Sequence, residues 1–204
     1  LAERYHGTMH GYALDLGQRP VPDTFKFSVL TEITSRLLVD RNSRQSGLTV
    51  CPTSSPNTPT LRRYLHSKLF LQATSVLRED TVDPDLVPDG VASSFRDYMT
   101  LLYDKRYFDY TEMINLAVQF LEGDDDDADA ATVRGHIRDD IRYVVVDEYQ
   151  DVNPLQERLV RGLTQFGANL CVVGDDDQTI YQWRGSEVSN IVTFADRYEG
   201  VRQV

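Results

Sequence analysis

The chain has 204 residues, 41% of them hydrophobic, which is enough for one large domain or two small ones with a real core. No apolar run approaches 18 residues and no charged-then-apolar segment opens the chain, so we predict neither a membrane span nor a signal peptide. The two cysteines, Cys51 and Cys171, have no metal-type spacing, and a reducing cytoplasm is the expected setting.

The net charge of −11 is unevenly distributed along the chain. Residues 1–80 carry 10 Lys and Arg against 7 Asp and Glu, whereas residues 81–204 carry 11 against 25. Proteins that contact nucleic-acid phosphates usually do so through clustered Lys and Arg. The overall charge therefore argues against such contacts, although a basic face on the amino-terminal half stays compatible with it.

From residue 22 to residue 121 the pattern is helical. Apolar residues recur at spacings of three and four, which predicts helices over residues 24–40, 60–78, 93–103 and 111–121. This block shows no convincing strand. Residues 43–59 hold three prolines and several Ser, Thr and Asn, and are predicted to form a loop.

An acidic run follows, with aspartate at every position from 124 to 127 and again at 129. A calcium loop beginning at Asp124 requires glycine at its sixth position and glutamate at its twelfth, where Asp129 and Gly135 stand instead. Closely spaced like charges repel one another and favour an extended, hydrated segment. We therefore predict a solvated linker over residues 123–131.

Two strands are predicted in the last third of the chain. Residues 143–146 read YVVV, and this valine-rich run is typical of a parallel strand buried on both faces. Residues 170–173, LCVV, form the second, with Cys171 as a small core residue. Between them, Asn153 is a good helix cap and Pro154 suits the first helical position.

Each strand runs directly into a polar segment. Asp147 and Glu148 follow the first, within YVVVDEYQD at 143–151, and GDDDQTIYQWRGS at 174–186 follows the second. Ligands of open α/β sheets bind at the carboxyl ends of strands, so one carboxylate there is suited to hold a divalent metal while its neighbour positions a water. This pattern indicates phosphoryl transfer from a nucleotide.

These two segments resemble motifs II and III of the UvrD/Rep/PcrA family of superfamily 1A DNA helicases. GTMHGYA at 7–13 resembles the family's TFHS segment, and FDYTEMINL at 108–116 resembles its DFDDLL segment, in the same order along the chain. The resemblance is close only over about residues 143–186. It implies an α/β fold, namely a partial RecA-like P-loop NTPase domain of parallel strands and helices that carries a mainly helical insertion.

The resemblance also implies a domain organisation: residues 1–17 end the first segment of domain 1A, 18–122 form a helical 1B-like insertion, 123–131 an acidic linker, and 132–204 the returning 1A segment. The sequence holds no GxxxxGK[ST] loop to cradle a triphosphate. We therefore expect an internal fragment that is inactive by itself. Without the central strand that bears this loop, it is also expected to self-associate.

The implied parent is an ATP-dependent DNA helicase that translocates on single-stranded DNA and unwinds duplex DNA, in repair or replication, with ATP and Mg²⁺ as cofactors. Asp147 matches the family residue that helps hold magnesium, and Glu148 the one that orients or deprotonates the attacking water. Gln178 matches the glutamine that senses the γ-phosphate. The partners that the resemblance implies for the chain are single-stranded and duplex DNA and the remainder of the helicase.

Five residues match family positions that contact DNA. Tyr181 and Trp183 are spaced by two, which in an extended segment puts both rings on one face for stacking against bases. Arg184 suits either a DNA phosphate or an acid of motif II. Thr8 and His10 match the upstream segment that touches the DNA strand.

Three alternatives stay open from sequence. Asp147 and Glu148 are also suited simply to the amino-terminal end of the following helix, where negative charge is stabilising. The chain as a whole is compatible with a non-enzymatic DNA-binding or protein-interaction module. A two-metal nuclease that uses these acids with Asp175, Asp176 and Asp177 lacks further ligands at recognisable spacing.

Overall fold

The computed structural model describes residues 5–18, 26–51, 63–83, 86–124, 126–175 and 193–202. The chain divides into two compact units, which we name the helical unit (residues 7–117) and the sheet unit (residues 1–6 and 118–204). Its described parts are helices with short parallel strands, which is compatible with the α/β class. No helix among the described residues is long and apolar enough to cross a membrane.

The helical unit contains five helices among its described residues: α1 (Met9–Gln18), α2 (Glu32–Arg41), α3 (Arg63–Glu79), α4 (Asp89–Asp104) and the larger part of α5 (Tyr110–Glu122). Its core is built from α2, α3, α4 and the segments beside them: Leu30, Val39, Leu48, Phe70, Tyr98 and Leu102. The rings of Phe70 and Tyr98 meet edge to face, with centroids 5.8 Å apart, a favoured aromatic geometry. The predicted helices 60–78, 93–103 and 111–121 match α3, α4 and α5.

The prediction that the helical block has no strand is wrong. Strand β1 (Ser28–Val29) pairs in parallel with β2 (Tyr107–Phe108), and the pairing is closed by hydrogen bonds from Ser28 N to Arg106 O and from Leu30 N to Phe108 O. Two residues are too few to show an alternating pattern in sequence. The helix predicted at 24–40 begins only at Glu32, because residues 28–29 form β1 and Thr31 caps the helix.

The sheet unit contains α6 (Ala128–Asp140), β3 (Tyr143–Val146), α7 (Pro154–Thr164), β4 (Asn169–Val172) and the short α8 (Phe194–Arg197). Strands β3 and β4 pair in parallel, with Tyr143 opposite Asn169 and Val146 opposite Val172. Helix α7 packs against β3 and begins with the predicted cap: Asn153 Oδ1 accepts from Gln156 N at 2.9 Å, and Gln156 Oε1 accepts from Asn153 N at 3.0 Å. This reciprocal capping box fixes where the helix begins.

Strand β3 exists as predicted, but it is not buried on both faces. Tyr143 is 76% and Val145 69% exposed, whereas Val146 is buried. Cys171, opposite Val145, is also exposed rather than part of the core. Among the described residues the sheet has only these two strands. We name the face that carries the exposed Tyr143, Val145 and Cys171 its open face.

The acidic run is not wholly an extended linker. Helix α6 begins at Ala128 because Asp127 caps it, its side chain accepting from the backbone N–H groups of Asp129 and Ala130. Aspartate is among the best capping residues, and a further acid in the first turn is stabilised by the helix dipole. The charges that predict a hydrated segment thus also begin a helix. The domain limits themselves stay a prediction.

Candidate functional site

Asp147 and Glu148 lie at the carboxyl end of β3, and both side chains are exposed. The two strands stay hydrogen-bonded beyond their ends, since Val173 N donates to Val146 O at 2.8 Å and Tyr149 N donates to Val173 O at 3.0 Å. The chain that follows β4 is therefore held directly beside the two acids. This is the edge of the sheet at which the sequence predicted a ligand.

Glu148 adopts a left-handed backbone conformation, with φ 52° and ψ 43°. Its N–H donates to Asp147 Oδ1 at 3.0 Å, and the 3₁₀ turn Tyr149–Asp151 follows it directly. A residue with a Cβ in this region costs about 1–2 kcal/mol relative to the right-handed region. Non-glycine residues held in such conformations cluster at functional sites, so this strain supports the functional interpretation of the acid pair over simple helix capping.

Gln150 joins Glu148 to the end of β4. Its side chain is buried, 1% exposed, and Nε2 donates to Glu148 Oε2 at 2.6 Å while Oε1 accepts from Asp175 N at 3.1 Å. Because a carboxylate only accepts and a backbone N–H only donates, one orientation of the amide alone satisfies both partners. The amide thereby restrains one oxygen of an otherwise exposed carboxylate.

Tyr149 points to a second cluster, centred on the buried Glu157 of α7. Tyr149 Oη donates to Glu157 Oε2, and Tyr198 Oη donates to Glu157 Oε1 at 2.9 Å. Arg161 Nε (3.3 Å) and an Arg197 guanidinium nitrogen (3.0 Å) pair with the same Oε1. Burial, and then the hydrogen bond to Glu157, raises the pKa of Tyr149 well above its ordinary value, so this hydroxyl stays a donor.

Adjacent residues of motif II therefore hold the chain on both sides of residues 176–192. Gln150 binds Asp175, directly before that segment, while Tyr149 contacts residues directly after it. The Tyr149 ring lies edge to face against Phe194, with centroids 5.3 Å apart, and Phe194 stacks on Tyr198 at 4.5 Å. Gln178, Tyr181, Trp183 and Arg184 fall within residues 176–192 and lie outside the described part of the chain.

A divalent metal is compatible with Asp147. Across the described residues no group of three or more His, Cys, Asp and Glu side chains forms a metal-binding cluster. Mg²⁺ does not require one, because it is commonly held by one or two carboxylates together with substrate phosphates and waters. An exposed carboxylate at the strand end fits that donor set.

Thr8 and His10 lie at the start of α1, in the helical unit. Thr8 Oγ1 accepts from Gly11 N at 3.1 Å, so its hydroxyl caps the helix. His10 meets Tyr110 edge to face, with ring centroids 5.7 Å apart, and burial lowers the pKa of its imidazole. Each side chain therefore has a structural partner inside its own unit, and a DNA contact by either is a separate prediction.

Sequence reasoning missed two groups of polar residues. Gln150 lies in the segment 143–151 and Glu157 seven residues after it, but neither position shows from sequence that its side chain is buried. In the helical unit, buried Arg78 pairs with Asp109 and Glu112, while Tyr98 and Tyr103 donate to those acids. The available signals were that Gln150 lies inside the segment 143–151, and Asp109 and Glu112 inside the segment 108–116, which both resemble family motifs.

Comparison with known families shows to which family the chain belongs. The model of the UvrD/REP helicase N-terminal domain matches residues 7–199, nearly the whole chain. The chain belongs to the UvrD/REP helicase family. The match covers both units and includes every segment through which the sequence resembled that family.

Curated relatives in this family carry the name ATP-dependent DNA helicase PcrA. The protein of Staphylococcus epidermidis is 30% identical over 145 residues, which cover 67% of this chain and 19% of the relative. That of Staphylococcus aureus is 32% identical over 139 residues, which cover 64% of this chain and 18% of the relative. The chain thus spans about a fifth of the length of the UvrD/REP helicases it matches.

Proposed function

We propose that this chain acts as part of an ATP-dependent DNA helicase that translocates on single-stranded DNA and unwinds duplex DNA. The observation that carries the proposal is the exposed pair Asp147 and Glu148 at the end of a parallel strand, the second of them held in a left-handed conformation. The family match over residues 7–199 supports it, as does the name of the PcrA relatives.

In this proposal the acids have different roles. Asp147 would help to hold Mg²⁺, which when bound would supply positive charge to stabilise the reacting phosphates. Glu148 orients the attacking water and accepts its proton, a role that needs a carboxylate within hydrogen-bond reach of the water. Gln178 contacts the γ-phosphate. The chain has no phosphate-binding GxxxxGK[ST] loop, so we propose negligible ATP hydrolysis by residues 1–204 alone.

DNA contact is assigned to the segment that follows β4 and to the start of α1. Tyr181 and Trp183 stack on bases, Arg184 contacts a phosphate or couples to motif II, and Thr8 and His10 touch the strand. We also propose a RecA-like arrangement with a 1B-like insertion at residues 18–122, a cytoplasmic setting, and a role in DNA repair or replication.

We further propose that chains associate through the open face of β3 and β4. The exposed side chains of Tyr143 and Val145 on that face support this association.

The proposed DNA contact can be tested on the 204-residue chain, because Trp183 is its only tryptophan. Titration with oligo(dT) at low salt is expected to quench the fluorescence of Trp183, with an apparent affinity that falls as salt rises. Tyr181→Ala is the test variant and Tyr143→Ala, on the open face of the sheet, its matched control. Quenching lost in the first and kept in the second supports the assignment. Fluorescence that does not change up to high micromolar DNA contradicts it for this chain.

A further inference from the structure

We propose that Gln150 is a positioning residue for Glu148: its buried amide fixes the carboxylate by which Glu148 acts on water and ties it to the backbone that follows β4. This inference rests on the proposed function of Glu148 and adds to it a residue that does not touch the nucleotide itself. It joins the acid of motif II to the first described residues of motif III.

The carboxylate of Glu148 is expected to be mobile unless a neighbouring group restrains it. Its side chain is exposed and its backbone is held in an unfavourable left-handed conformation, so packing does not fix its carboxylate. The hydrogen bond of 2.6 Å from Gln150 Nε2 restrains Oε2. Bonds of this length to an ionised acceptor are among the stronger hydrogen bonds in proteins. The carboxylate is therefore oriented by a neighbour rather than by its own surroundings.

Gln150 is itself anchored. Its side chain is buried, and Oε1 accepts from Asp175 N at 3.1 Å. The amide thus spans from the carboxylate of one strand end to the backbone of the next. Any movement of the Asp175 backbone relative to β3 is transmitted through one rigid amide plane to Glu148.

Few residues can replace this amide. The side chain at this position must donate a hydrogen bond to Glu148 and accept one from Asp175 N, and it must be as long as glutamine to reach both. Glutamate keeps the acceptor but turns the donor into a second carboxylate. Methionine keeps the length and the apolar stem and has neither group. These two substitutions separate the positioning role from the structural bond to Asp175.

The test uses the full-length helicase that contains residues 1–204, with single-stranded DNA present. Gln150→Glu and Gln150→Met are both expected to lower kcat for ATP hydrolysis by about 10-fold to 100-fold, the range seen when groups that orient a reactive residue are removed. KM for ATP is expected to stay within about twofold, because Gln150 makes no contact with the nucleotide in this account. Gln119→Glu, at an exposed position of α5, is the matched control and should leave both parameters unchanged.

A second readout keeps the test decisive on the 204-residue chain. Amide hydrogen exchange at Asp175 should accelerate at least about tenfold in Gln150→Met and stay slow in Gln150→Glu, which retains an acceptor for that N–H. Normal kcat in Gln150→Glu overturns the inference, because a purely structural bond survives in that variant. If that variant fails to fold, normal kcat in Gln150→Met overturns it equally.

The proposed function fails in a different way. If Glu148→Gln hydrolyses ATP at the wild-type rate, then Glu148 does not act on water. That result contradicts the proposed function, not only the positioning role of Gln150. If Glu148→Gln abolishes hydrolysis while both Gln150 variants keep it, only the positioning role is excluded.

Discussion

Arg78 and Asp109 form a two-point ion pair inside the helical unit, with nitrogen to oxygen distances of 2.8 and 2.7 Å. Arg78 also reaches Glu112 at 3.2 Å, and all three side chains are buried. Tyr98 donates to Asp109 at 2.7 Å and Tyr103 to Glu112 at 2.6 Å. One cation thus balances two carboxylates that join α3 to the start of α5.

Removing the cation should be costly, because two buried acids then lose their only described counterion. We expect Arg78→Met to lower the free energy of unfolding by about 3–5 kcal/mol, the usual cost of leaving a buried charge unpaired. Urea denaturation, monitored by circular dichroism, measures this change in the free energy of unfolding. Arg96→Met, at an exposed position of α4, is the matched control and should change stability by less than about 0.5 kcal/mol. Equal stability of the two variants would contradict the role of the pair.

The same pair predicts a pH dependence. Burial opposes ionisation of Asp109, but the charge and hydrogen bonds of Arg78 outweigh it and lower the pKa of this carboxyl. A lowered folded-state pKa stabilises the fold above the unfolded value of about 3.9, and that stabilisation is lost as pH falls through the folded value.

The stability difference between wild type and Asp109→Asn should therefore be full at pH 6 and shrink below about pH 4. Burial raises the pKa of Glu112, with Arg78 and Tyr103 opposing the shift, so this acid acts in the opposite direction. Asp109→Asn also removes the negative charge that helps to raise the pKa of Glu112, so both proteins are compared with Glu112→Gln in place. Asp97→Asn, at an exposed position, is the control. A difference that stays constant from pH 6 to pH 3 contradicts the assignment.

The left-handed conformation of Glu148 predicts an unusual ranking of variants. Glu148→Gly and Glu148→Ala both remove the carboxylate, so they differ only in the backbone. We expect the glycine variant to be more stable by about 1 kcal/mol, since glycine reaches a φ of 52° without a steric penalty. At Ala131, an exposed position of α6, substitution by glycine should instead destabilise by about 1 kcal/mol. Chemical denaturation of the three variants and the wild type measures both stability differences.

The open face of β3 and β4 predicts the reactivity of the two thiols. Cys171 is exposed and Cys51 only half-buried, and burial raises the pKa of the Cys51 thiol, with a hydrogen bond to Ser94 opposing it. We expect a thiol reagent at pH 8 to modify Cys171 at least about tenfold faster than Cys51. Cys51→Ser and Cys171→Ser assign the two phases. A Cys171 that stays unreactive at every protein concentration would show that this face is covered within a single chain.

The features that were predicted correctly from sequence are those that depend on residues close together in the chain. The apolar periodicity of α3, α4 and α5 and the pairing of Asn153 with Gln156 at the start of α7 lie within a few residues of one another, so they are legible in a single sequence. Motif II likewise placed Asp147 and Glu148 at a strand end. The short β1–β2 pair was missed because its partners are about 80 residues apart and carry no alternation.

The burial of individual residues could not be predicted in this way. A valine run such as 143–146 states a preference for a sheet interior, but whether Val145 is covered depends on what packs against the sheet. Gln150 shows the same limit for polar residues, because only the fold brings Asp175 within 3.1 Å of it. Asp127 shows a third limit, since this residue caps a helix although it lies in a run of aspartates that predicts an extended segment.

The central claim is that Glu148 performs the chemical step of ATP hydrolysis in a DNA helicase, and single-turnover hydrolysis in the presence of single-stranded DNA tests it most directly. In the full-length helicase, Glu148→Gln should bind ATP as wild type does and hydrolyse it about 100-fold or more slowly, because the variant keeps the size of the side chain and loses the proton acceptor. Glu199→Gln, at an exposed position, should match wild type. Hydrolysis by Glu148→Gln at the wild-type rate would contradict the account.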